Sequence, residues 1–102
     1  MPWVYILRCA DQSLYVGLTT DLERRLQEHR RGEGGGYTLQ RRPVELVHSE
    51  KYEKAGAARA RERQLKRWSA KKKEALILAD QRALQRLARR RVYYAASKRK
   101  SR

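Results

Sequence analysis

A single cysteine, Cys9, stands in 102 residues, so neither an internal disulfide framework nor a cysteine-based zinc cluster is available. No apolar run approaches the ~20 residues that a membrane-spanning helix requires. The start, Met1-Pro2-Trp3-Val4-Tyr5, lacks both the basic opening and the long apolar stretch of a secretory signal. These absences predict a reduced, cytoplasmic protein without a membrane span. Acidic residues are scarce as well, 11 against 26 Lys+Arg, which leaves a formal net charge of +15. What is present suffices for one small core: 40% of the residues are hydrophobic, and the length allows one compact domain but not two.

A charge excess of this size attracts polyanions, and nucleic acid is the commonest such partner inside a cell. The excess is uneven. Residues 81–102 carry nine basic residues and no acid. The chain therefore divides into a domain at 1–80 and a basic C-terminal extension at 81–102, expected to be helical and then disordered from Lys98. As a functional feature that extension would add sequence-independent affinity for DNA phosphates; the alternative is a solvated helix with a terminal tail. Association with RNA through its arginines is a weaker expectation than DNA, and anionic lipid ranks last, because the segment lacks Trp and Phe and only Tyr93 and Tyr94 could anchor it in a membrane surface.

Trp3-Val4-Tyr5-Ile6-Leu7-Arg8-Cys9 is rich in aromatic and β-branched residues and predicts a strand buried on both faces. Asp11-Gln12-Ser13 is a turn, and Leu14-Tyr15-Val16-Gly17 a second strand, so close that only an antiparallel hairpin fits. Thr20 and Glu23 form a capping-box pattern that opens a helix near Asp21. Leu22 and Leu26 mark its inner side, and Gly32 ends it. The glycines at 34, 35 and 36 predict a mobile loop running to Tyr37. Pro43 enters a third strand through His48. Lys54 to Trp68 is helical, with Ala55, Ala58 and Leu65 as inward positions, and Ser69 caps a further helix. The predicted fold is α+β: a three-stranded antiparallel sheet flanked by helices. Cys9 and His48 are expected to be structural, and the tryptophans to pack, although Trp68 can also stack on a base.

Trp3-Val4-Tyr5 and Tyr15-Val16-Gly17 resemble the paired strand motifs of the GIY-YIG nucleases. The register continues, with Arg25 ten residues after Tyr15 and His29 four after Arg25. Glu62, within Ala58-Arg59-Ala60-Arg61-Glu62-Arg63-Gln64-Leu65-Lys66, stands where that family carries its metal-binding glutamate. The resemblance spans about residues 2–78 and is closest to the small single-domain bacterial branch, in which Tyr37-Thr38 and Arg42-Pro43-Val44-Glu45-Leu46-Val47 also look familiar. The chain departs from the pattern in having no asparagine, in Leu18 where some relatives have lysine, and in lacking the glycine of the first motif. Tyr37 falls near a loop position where others have a second histidine.

The resemblance implies a metal-dependent DNA endonuclease without strong sequence specificity, acting on single-stranded or branched DNA in repair, recombination or processing, and needing no obligate protein partner. It assigns Tyr15 as general base, Tyr5 as its partner, Arg25 as phosphate clamp, and Glu62 as ligand of Mg²⁺ or Mn²⁺. His29 either binds phosphate or relays a proton. Arg24, Arg25, Tyr37, Lys66 and Arg67 are the expected nucleic-acid contacts. Elementary chemistry agrees with these residue types. A phenol is a poor base unless positive charge favours its phenolate, a guanidinium can fork onto two phosphate oxygens, and a carboxylate is a hard ligand for Mg²⁺. The alternative reading is a nucleic-acid-binding module that keeps the scaffold without turnover.

Overall fold

The computed structural model describes residues 1–100, with side chains described as far as Arg86. The elements follow the order β1 (Trp3–Arg8), β2 (Leu14–Thr19), α1 (Leu22–Arg31), α2 (Gly36–Leu39), β3 (Glu45–Lys51), α3 (Ala55–Arg67) and α4 (Ala70–Lys100). The sheet is fully antiparallel in the order β2-β1-β3, so the most apolar strand is central. Its four inner residues, Val4 to Leu7, are all buried because both faces of the sheet are covered.

Alternation along β1 divides the core. Val4 and Ile6 pack with Val16, Ala58, Leu65 and Ile77, the last three supplied by α3 and α4. Tyr5 and Leu7 lie on the opposite face with Val44 and Cys9, covered by Leu22 and Leu26 of α1. Cys9 and His48 are accordingly buried. Thus α1 and α3 approach the β1–β2 hairpin from different sides.

Four local expectations change. Asp21 caps α1, its Oδ1 accepting from Arg24 N at 3.1 Å. A short carboxylate at that position reaches the first free amides, so Thr20 and Glu23 form no box. The 34–36 stretch is not an open loop to Tyr37: its end turns into the short α2, whose Thr38 is buried. Ala55 is exposed, because it opens α3 beyond the reach of the sheet, whereas Ala58 and Leu65 are buried. β3 begins at Glu45, after a cis Arg42–Pro43 bond, and runs three residues past His48.

Gly32, at φ 84°, ends α1 and donates to Glu28 O and His29 O. Ser69 caps α4 by accepting from Lys72 N at 3.2 Å. α4 passes Asp80 without a break, so the expected extension continues the same helix; the disordered end expected from Lys98 covers residues within its range and residues 101–102, which lie outside the described ones. Among the described residues no helix is long and apolar enough to cross a membrane.

A polar clamp sets the rotation of α3. Glu50 on β3 accepts from Arg61 Nε at 2.9 Å and Nη2 at 3.1 Å, and from the Tyr52 hydroxyl at 2.7 Å. His48 Nε2 adds a fourth contact at 2.7 Å. With Ala58 and Leu65 facing the sheet and Arg61 fixed on one flank, Glu62 emerges on the other flank.

Candidate active site

Tyr5 occupies the middle of β1, directly across from Gly17 of β2. A Cβ at Gly17 would overlap the Tyr5 ring and hydroxyl, so this glycine is the space in which the ring lies across β2. Tyr15, opposite Leu7, shares that face as a diagonal neighbour. The two ring centroids are 6.4 Å apart, within the reach of a diagonal cross-strand pair. Tyr5 is 1% exposed, whereas Tyr15 is half-buried, so only the second keeps a solvent-facing surface.

His29, in the last turn of α1, joins this pair. Its Nε2 is 2.9 Å from the Tyr5 hydroxyl and its Nδ1 is 2.8 Å from Thr38 Oγ1. The ring stands edge-on to Tyr5 and to Tyr15, with centroids at 5.8 and 5.3 Å. The backbone of Gly34 presses against it so closely that a Cβ there would overlap the imidazole. Burial lowers its pKa below the ordinary 6.5, the charge of Arg25 adds to this, and Glu28 opposes it. The ring is therefore neutral at pH 7, with one nitrogen donating and the other accepting. At 0% exposure it offers no surface to a phosphate, so of the two roles expected for it, phosphate contact falls.

Arg25 lies one helical turn earlier. Its Nη2 donates to Gly34 O at 3.0 Å and its Nη1 pairs with Glu28 at 3.3 Å. The guanidinium thereby pins the 34–36 segment against α1 and stays beside the Tyr5 hydroxyl. Burial raises the Tyr5 pKa; Arg25 pulls it back, and the charges of Tyr15 and, most weakly, Glu62 push it up. Tyr5 consequently keeps its proton at neutral pH.

Glu62 is 19% exposed and pairs with Lys66 Nζ at 3.3 Å. Its charge is the weakest of the influences that raise the Tyr5 pKa. Among the described residues no three His, Cys, Asp or Glu side chains converge as a metal cage. A single carboxylate nonetheless fits Mg²⁺, which is commonly held by one or two carboxylates and completes its shell with water and phosphate. Lys66, 55% exposed, can swing aside at little cost.

The expected nucleic-acid contacts fall into two groups. Arg24 and Arg25 lie on α1, and Tyr37, of α2, is 41% exposed and stacks on Tyr15 with centroids 5.8 Å apart. Lys66 and Arg67 are exposed on the last turn of α3. Sequence reasoning missed Thr38, Gly34 and Arg41. The Arg41 guanidinium lies 3.9 Å over the Tyr37 ring and donates to Tyr37 O and Asp11. Their available signals were the Tyr37-Thr38 pair and the glycine run, which marked the segment but not its contact with His29.

The model of the GIY-YIG catalytic domain matches residues 1–75. A UPF0213 protein of Natronomonas pharaonis is 52% identical over 75 residues, covering 74% of this chain and 88% of that protein. One from Staphylococcus aureus is 45% identical, again over 75 residues, and is covered to 92%. The solution NMR structure of a UPF0213 protein from Bacillus halodurans superposes with a TM-score of 0.52 at 40% identity, over 78% of this chain and 85% of that one. That of a protein from E. faecalis gives 0.54 at 38% identity, over 78% and 84%. A hairpin carrying Tyr5 and Tyr15, a histidine locked behind it and a glutamate on the helix across the sheet thus coincide with a match over three quarters of the sequence: the chain belongs to the GIY-YIG family, in its small single-domain branch.

Proposed function

We propose that the protein is a metal-dependent endonuclease that hydrolyses DNA phosphodiester bonds without strong sequence readout, on single-stranded or branched DNA. The observation that carries this reading is the Thr38–His29–Tyr5 chain of hydrogen bonds, buried directly behind the more accessible Tyr15 and flanked by Arg25.

In this mechanism Tyr15 enters as the phenolate and takes the proton of the attacking water, whose oxygen bonds to phosphorus as the bond from phosphorus to the leaving 3′ oxygen breaks; that oxygen takes its proton from solvent. Tyr5 keeps its own proton and donates it to His29 Nε2, while His29 Nδ1–H donates to Thr38, which fixes the Tyr5 oxygen in place. Arg25 exchanges its present partners, Gly34 O and Glu28, for phosphate oxygens and stabilises the charge that develops there. Glu62 holds Mg²⁺ or Mn²⁺, which when bound neutralises charge on the phosphate and leaving oxygen. The positive field of the whole chain gathers the substrate.

One observation favours the second reading, a binding module without turnover: the Glu62 carboxylate already has a cationic partner in Lys66. Incubation with circular single-stranded and branched DNA separates the two. The nuclease reading expects cuts in Mg²⁺ or Mn²⁺, none in EDTA, and none by Glu62→Ala. Intact substrates under every condition, together with retained DNA binding, establish the binding module instead.

A further inference from the structure

The outer face of α3 carries arginines at 59, 63 and 67, four residues apart and all exposed. That spacing aligns them in one stripe with a step of about 6 Å. Among the described residues none of the three has a carboxylate partner, whereas Arg8, Arg25, Arg41, Arg61 and Lys66 each have one. The scarce acids are thus spent elsewhere, and this stripe keeps its full charge. Glu62, three residues after Arg59, adjoins the stripe on the helix surface. At its far end Ala60, Arg63, Gln64, Arg67 and Trp68 line an open cavity of about 450 Å³. The cavity combines the Trp68 ring, two guanidinium groups and a side-chain amide; Arg61 Cζ and the exposed Lys72 Nζ lie 5.1 and 4.3 Å over that ring, so a base that stacks on it displaces Lys72.

We propose that this stripe and cavity form a binding track for single-stranded nucleic acid, distinct from the Tyr5/Tyr15 cluster. Successive phosphates lie along Arg59, Arg63 and Arg67, and an unpaired base enters the cavity beside Trp68. The step between arginines is comparable to the distance between neighbouring phosphates of one extended strand. An aromatic cavity reached from one side of one helix suits an unpaired base; a duplex keeps its bases stacked inside and presents none to it. An acidic peptide would satisfy the arginines but has no planar group for the Trp68 cavity. The track rests on the nuclease reading only for its role in leading a strand past Glu62.

Its test is therefore a binding measurement that needs no turnover. Anisotropy of a fluorescein-labelled oligothymidylate is followed against NaCl in EDTA, with the full chain, with Arg59→Gln/Arg63→Gln/Arg67→Gln, and with Arg30→Gln/Arg31→Gln/Lys51→Gln as a control of equal charge. Each lost phosphate contact lowers the slope of log K against log[salt] by about 0.7, so the α3 variant loses about 2 and the control much less. In a Trp3→Phe background, where Trp68 is the sole tryptophan, the oligonucleotide quenches the remaining fluorescence. Equal slopes for the two triple variants, an unquenched Trp68, or the same loss on a duplex of equal length would overturn the proposal. Because these changes are exposed, melting temperatures close to wild type show that folding is intact. A chain that binds through α3 yet cuts nothing refutes the nuclease and keeps the track; cutting with an unchanged slope does the reverse.

Discussion

The Tyr5 hydroxyl and His29 Nε2 meet at 2.9 Å although 24 residues separate them in sequence. This one contact ties the central strand to the end of α1, and with Thr38 on the other nitrogen it leaves both polar atoms of a fully buried imidazole partnered. Much of the candidate site follows from keeping that ring neutral, fixed and dry.

Gly34→Ala tests the fixing. The added methyl must displace the imidazole, and crowding of this kind typically costs 1–3 kcal/mol, so unfolding in urea should shift by about that amount. Gly36→Ala, with nothing within 4 Å of its added Cβ, is the matched comparison and should stay within about 0.5 kcal/mol of wild type.

Thr38→Val tests the partnering. It keeps the shape, removes the hydroxyl, and leaves His29 Nδ1 buried without a partner, at a cost of about 1–3 kcal/mol in chemical denaturation. Thr38→Ser restores the oxygen and most of the stability. Equal stability of Val and Ser variants would show that the hydroxyl is not used.

Arg25→Lys keeps the charge but loses the fork that now reaches Gly34 O and Glu28. Cleavage should fall roughly 10²-fold, as when an oriented donor to a developing anion is removed. Because one positive charge remains, the salt dependence of DNA binding should barely change.

Acid should weaken the fold in two windows. His29 has a lowered pKa when folded, so below its ordinary 6.5 the unfolded chain binds the proton first, and stability falls as pH drops from there toward the folded value. Glu50 has burial working against it, but Arg61, His48 and Tyr52 together hold its pKa at about 2 against an ordinary 4.5. Its contribution is complete above 4.5 and is lost as pH falls toward 2, on the order of 2 kcal/mol in all. Thermal melts of Glu50→Gln against pH should lack the lower window and keep the upper one.

The hairpin and α1 were legible because each rests on short-range pattern: aromatic and β-branched residues in β1, a three-residue turn, helical spacing of Leu22 and Leu26, and glycine after the helix; the two tyrosines were legible through the paired motifs that contain them. Arg25 and Glu62 were legible through motif register, since neither residue type is distinctive alone. Thr38 and Gly34 were not, because their roles come from packing against His29 across space. Glycine propensity argues against a helix at 36, yet α2 forms there because Thr38 is buried against the imidazole. Burial of His29 was likewise hidden, because it comes from contacts with Tyr5, Gly34 and Thr38 that no spacing along α1 announces.

The central claim is that Tyr15 and Glu62, 47 positions apart in the chain, act on the same phosphodiester. The rate at which circular single-stranded DNA is opened in Mg²⁺ by wild type, Tyr15→Phe and Glu62→Gln tests it most directly. The account predicts losses of roughly 10²-fold or more for each variant, with oligonucleotide binding intact. Opening at the wild-type rate by either variant would contradict it.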